Sequence, residues 1–73
     1  MSKKNIKIGD EVHVPGTMKH GIVYRVSRGK CFFVDAMGTY GESFIENVIF
    51  CSGFSESEKR RIINRHRIVK EKK

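Results

Sequence analysis

Three histidines (His13, His20, His66), two cysteines (Cys31, Cys51) and eight acids are the residues of this 73-residue chain that could do metal, proton or nucleophilic chemistry. Their spacing supplies no motif. The cysteines form no C-x-x-C pair, so a metal site has no spacing to rest on. The histidines fall at no ligand interval. Cys31 abuts Phe32 and Cys51 follows Phe50, so both read as small buried hydrophobes in or beside strands of a reduced protein. A single bridge between them is the other reading. A Cys31 nucleophile would need a histidine brought to it by the fold. Asp10 and Glu11 stand at a turn and a strand start and Asp35 at a strand end, which reads as structural or exposed. The seven glycines are scattered at turns and build no phosphate-cradling loop. This inventory points to no catalytic residue, no metal site and no cofactor, and an enzyme is not expected.

The basic residues say more. The formal net charge is +7, and it is unevenly placed. Residues 1–54 hold seven Lys/Arg against five Asp/Glu, whereas residues 55–73 hold eight against three and no aromatic residue. A localised positive field attracts polyanions. Arg25, Arg28 and Lys30 cluster at one expected hairpin, with Lys19 before it, and Lys59, Arg60, Arg61, Arg65 and Arg67 follow in the tail. Lys and Arg neutralise phosphates, and Arg grips one with two donors. Tyr24 and Tyr40 are candidates to stack on bases. No base-specific pattern is present, so the expected mode is phosphate contact without sequence preference, to DNA or RNA. The competing class is a protein-binding adaptor. The two-faced apolar strand Phe32–Val34, with Phe44, Phe50 and Phe54, offers more large side chains than a thin core needs, and some are expected to face a protein partner or the second chain of a homodimer.

These side chains must be positioned by a single small domain, because a chain this short buries only about 60% of its unfolded surface. Residues 1–5 are polar and expected to fray. Ile6 and Ile8, the Gly9-Asp10 turn, and Val12 and Val14 give a first strand closed by Pro15-Gly16. His20–Val26 is a second strand, with Ile22, Tyr24 and Val26 on one face by the two-residue period. Ser27–Lys30 is a hairpin turn. Cys31–Asp35 is a third strand, apolar on both faces and therefore covered on both, with its inward face left open between Phe32/Val34 and Cys31/Phe33. After a turn at Ala36–Thr39, residues 39–44 make a fourth strand. A 3₁₀ turn at Glu46-Asn47 and a short strand at Val48–Cys51 follow. Ser55 and Glu58 fit a capping box. A basic amphipathic helix is expected over 55–70, with Ile62, Ile63, His66 and Val69 as its apolar stripe; a shorter helix followed by a strand at Arg67–Lys70 is the rival.

The run Ile8-Gly9-Asp10-Glu11-Val12-His13-Val14, then Gly21–Val26, then Phe32–Asp35, resembles the opening of SH3-like small barrels of the KOW/Tudor sort, and Glu46-Asn47-Val48 is similar to the 3₁₀ turn and last strand that close them. The resemblance covers residues 6–51. It implies a five-stranded SH3-like barrel followed by the C-terminal helix, in a group whose members bind nucleic acids or peptides and in a minority are oligomeric enzymes. Its methyl-lysine-binding branch uses an aromatic cage. No apolar segment follows Met1–Lys7 as in a signal peptide, and no run approaches the roughly 18 apolar residues of a membrane span. A cytoplasmic protein without a membrane partner is therefore expected.

Overall fold

A computed structural model describes residues 5–68 of the chain. Five strands form one antiparallel sheet: β1 (Glu11–His13), β2 (His20–Ser27), β3 (Lys30–Val34), β4 (Tyr40–Phe44) and β5 (Ile49–Phe50). A 3₁₀ turn at Ile45–Asn47 separates β4 from β5, and one helix, α1 (Glu56–Arg65), ends the described chain. The strand count, the 3₁₀ turn and the helix agree with the sequence. The barrel does not. The strand order is β4-β3-β2-β1-β5, so among the described residues β4 and β5 are the two edges, unpaired with each other, and the sheet is open. The SH3-like resemblance is corrected with it. Closure needs a ladder between the edges, and β5 has only two residues to offer one. Loop residues cover that face instead: Ile6, Val14, Ile45 and Val48 pack on Val12, Val23, Cys31 and Phe33.

The opposite face carries α1. Ile62 and Ile68 are buried against Ile22 and Val34, with Ile8, Tyr24, Phe54 and Ile63 packed alongside. Full burial of one such aliphatic side chain contributes about 1.5–3 kcal/mol. The double apolar character of β3 is thereby explained. Cys31 and Phe33 face the loop-covered core, and Phe32 and Val34 face the helix side.

Two local devices set these faces. The Arg28-Gly29 turn joins β2 to β3 with positive φ at both residues (50° and 78°), the geometry whose twist matches a two-residue hairpin. Past it, the register of β2 on β3 slips. Val23 pairs with Phe33 but Arg25 with Phe32 and Val26 with Cys31, so Tyr24 and Arg25 share the space opposite Phe32. This bulge moves Val26 to the face opposite Tyr24, against the simple alternation read from the sequence. Phe33 needs room on both sides. A Cβ on Gly41 would lie 2.7 Å from its ring, and one on Gly21 would lie 2.6 Å from the Val34 carbonyl oxygen and 3.1 Å from the ring.

The capping box of α1 forms as the sequence indicates: Ser55 accepts from the Glu58 N–H, and Glu58 accepts from the Ser55 N–H. The helix stops at Arg65, short of the expected 55–70. His66 is its C-cap, Arg67 turns left-handed at φ 53°, and Ile68 N–H bonds back to Ile63 O at 2.9 Å while Arg67 N–H reaches Asn64 O at 3.4 Å. This pair of bonds is a Schellman motif, and it folds Ile68 under the helix into the core. Val69 and Lys70 lie outside the described residues. No described helix is long and apolar enough to cross a membrane.

Candidate functional site

The helix-bearing face of the sheet has two ends, and each concentrates side chains of one kind. At the β3–β4 end, alternation and the bulge bring Tyr24, Phe32, Tyr40 and Phe44 to a stretch that α1 leaves uncovered. Tyr40 and Phe44 are 62% and 50% exposed. Tyr24 and Tyr40 meet edge-to-face at 5.5 Å, and Tyr24 and Phe32 lie 6.4 Å apart. Tyr40 also meets His66 edge-to-face, with its hydroxyl 3.3 Å from Nδ1. Tyr24, Phe32, Tyr40, Gly41 and Glu42 line an open depression of about 230 Å³. Two cations sit over the rings: the Arg25 guanidinium is 5.5 Å from the Phe32 centroid and Lys30 Nζ is 5.2 Å from that of Phe44, within the range of cation–π attraction.

The sequence-based candidates divide accordingly. Tyr24, Tyr40, Arg25 and Lys30 come together on this face. Arg61 and Arg65 line a separate hollow of about 60 Å³ with Ala36, Glu58, Ile62 and His66. Arg28 stands at the hairpin tip. Lys59 reaches Glu56 at 4.0 Å, Arg60 is exposed on the helix, and Arg67 is exposed at its end. Lys19 belongs to the other end of the molecule: β2 separates it from Arg28 by eight residues, roughly 26 Å of strand. Hairpin and helix cations therefore form no single patch with Lys19.

At the β1–β5 end the arrangement is polar. Glu11 is 5% exposed and is the one buried charged residue among those described. Its Oε2 accepts from the Gly53 N–H at 2.6 Å, the Phe54 N–H at 2.9 Å and His20 Nε2 at 2.6 Å. His20 in turn stacks on Phe54, with centroids 4.2 Å apart, and meets His13 edge-on. Burial pushes the Glu11 pKa up, but the hydrogen bonds from His20, Phe54 and Gly53 and the nearby Cys51 thiol outweigh it, and the carboxyl is held below its ordinary value. The cluster joins β1, β2 and the segment leading into α1. Its character corrects the expectation of a basic barrel protein: the charged group that the fold buries and surrounds is an acid, grouped with a histidine and a cysteine. No sequence signal could have found it, since Glu11, His20 and Cys51 are scattered along the chain and sheet pairing alone brings them together. Cys31 is buried and Cys51 half-buried, and both are free thiols; burial raises the Cys31 pKa.

No family model, curated protein or solved structure matches this chain.

Proposed function

We propose that the protein is an interaction module that takes an acidic, apolar segment of a protein partner on the open sheet face around Tyr24, Phe32, Tyr40 and Phe44. The observation that carries this reading is the ring cluster itself. A small domain with a thin core loses burial by leaving Tyr40 and Phe44 exposed beside the half-buried Tyr24 and Phe32 on one stretch of sheet, and exposed apolar surface of this kind marks interaction sites. Tyr and Phe with Arg are the residues enriched where proteins meet. Arg25 and Lys30 set the charge of the partner, for they sit over the rings, with Glu42 the only acid lining the depression among the described residues. The free outer edge of β4 adjoins the same rings and suits an extended segment added as a further strand.

The test is selection of peptides from a random display library, followed by affinity measurement on the purified chain. Enriched peptides should combine acidic with aromatic or aliphatic residues. The paired variant Tyr40→Ala/Phe44→Ala should weaken them by about 2–4 kcal/mol, the scale of interface hot spots, while Phe50→Ala on the far edge leaves them unchanged. Mixed-sequence oligonucleotides are measured in parallel. Salt-sensitive binding of these, lost in the same paired variant, would assign the face to nucleic acid and overturn the protein reading.

A further inference from the structure

We propose that Glu11, His20 and Cys51 form a binding site for one zinc-class divalent transition-metal ion. Each offers one ligand atom, and the three atoms lie within 4.8 Å of one another, a spacing a single ion with bonds of about 2.0–2.3 Å can bridge. The second observation is the state of the carboxylate. The Glu11 side chain is 2% exposed, and while Oε2 takes three hydrogen bonds, Oε1 is buried and has no hydrogen-bond partner among the described residues. The Cys51 thiol also lies close enough to this carboxyl to lower its pKa. A buried oxygen with two lone pairs and no donor is costly, and a cation held between it, the imidazole and the thiolate removes the deficit.

The donor set selects the metal. One nitrogen, one oxygen and one sulfur suit zinc and its neighbours in the first transition row, whereas calcium and magnesium need cages of oxygen. The supporting contacts are also those of a metal site. Gly53 and Phe54 N–H groups fix Oε2, and the Phe54 ring fixes the His20 plane, which is how surrounding groups orient ligands. On binding, the Cys51 S–H bond breaks, its proton goes to solvent and the thiolate pair forms the metal–sulfur bond. The His20 ring releases to solvent the Nε2 proton that it donates to Glu11 Oε2, takes the Nδ1–H tautomer by exchange with solvent, and turns the freed Nε2 lone pair to the ion. His20 and Cys51 are both half-buried, so the fourth position opens to water. The ion would tie β1, β2 and the chain entering α1 at one point, a staple of the kind small domains use.

The purified, reduced full chain is titrated with Co²⁺ and then Zn²⁺. The expected result is a thiolate-to-cobalt charge-transfer band saturating at one ion per chain, bleached by Zn²⁺, and a Zn²⁺-dependent rise in the thermal midpoint. Cys51→Ser should abolish the band, His20→Gln should weaken Zn²⁺ binding by about 100-fold, and His13→Gln should change neither. Circular dichroism confirms that each variant is folded before it is read. No band in the folded wild-type chain, or a band that persists in Cys51→Ser and so belongs to Cys31, overturns the proposal. Because these three residues are remote from the ring cluster, either outcome leaves the peptide-binding test to stand alone.

Discussion

The two ends of the helix-bearing sheet face invert the usual rule of burial in opposite senses. At the β1–β5 end a carboxylate is buried and held by hydrogen bonds from His20, Gly53 and Phe54. At the β3–β4 end aromatic rings are left in solvent. The buried acid is a joint: it ties two strands to the segment that starts α1, and the fold depends on it. Tyr24 packs on the helix-side core, but the exposed Tyr40 and Phe44 bear little of the fold, because their contacts are with Tyr24, with His66 and with the Lys30 cation. The contrast separates a part of the molecule that holds its shape from a part available for a partner.

The largest effect should come from breaking the joint. Glu11→Ala strands the Gly53 and Phe54 N–H groups and leaves His20 without its acceptor, at a cost of about 3 kcal/mol. That is a large share of the roughly 4–11 kcal/mol that a chain of this length carries, and urea unfolding measures it. The same joint should respond to acid. The folded carboxyl lies below its ordinary 4.5, so its contribution is complete above that value and is lost as pH falls through the lower folded one. The wild-type urea midpoint should therefore drop below pH 4.5 more steeply than that of Glu11→Gln, and parallel curves would remove Glu11 from the account. Gly53→Ala comes next. Its Cβ would meet His20 Cε1 at 3.2 Å and Nε2 at 3.4 Å, and a ring already stacked on Phe54 gives way only by loosening the joint, for about 1 kcal/mol. The smallest effect on stability belongs to the other end: Phe44→Ala should cost no more than about 0.5 kcal/mol while impairing partner binding. A loss there as large as that of Glu11→Ala would erase the distinction between the two ends.

Much of the fold was legible because its signals are local. Gly29 and Gly38 take positive φ in turns where the sequence placed breaks, and Asp35 Oδ1 accepts from the Met37 and Thr39 N–H groups to shape the second of these. Ser55 and Glu58 mark the start of α1 by residue type alone. What escaped is long-range or carried by atypical residues. The helix end depends on Arg67, which adopts the left-handed conformation usually given to glycine and so leaves no sign. The bulge at Tyr24 exists only relative to β3. Whether the edge strands meet depends on the whole sheet, which is why the resemblance in residues 6–51 led to a closed barrel. Of the ring cluster, Tyr24, Tyr40, Arg25 and Lys30 were named from sequence as phosphate- or base-contacting residues and Phe32 and Phe44 as surplus rings, but that Phe32 and Phe44 share one face with the tyrosines while Phe33 and Phe50 do not needed the register. The Glu11–His20–Cys51 group was invisible for the same reason.

Phe33 and its two glycines carry a consequence for how this chain can change over generations. The three nearest atoms to a side chain at position 41 all belong to the Phe33 ring, so a smaller residue at 33 would release it. Position 21 gains no such freedom, because the nearest obstacle is the Val34 carbonyl oxygen, a backbone atom at 2.6 Å. Substitutions in this trio are therefore ordered: 33 opens the way for 41, neither opens it for 21, and among diverged descendants Gly21 should outlast both.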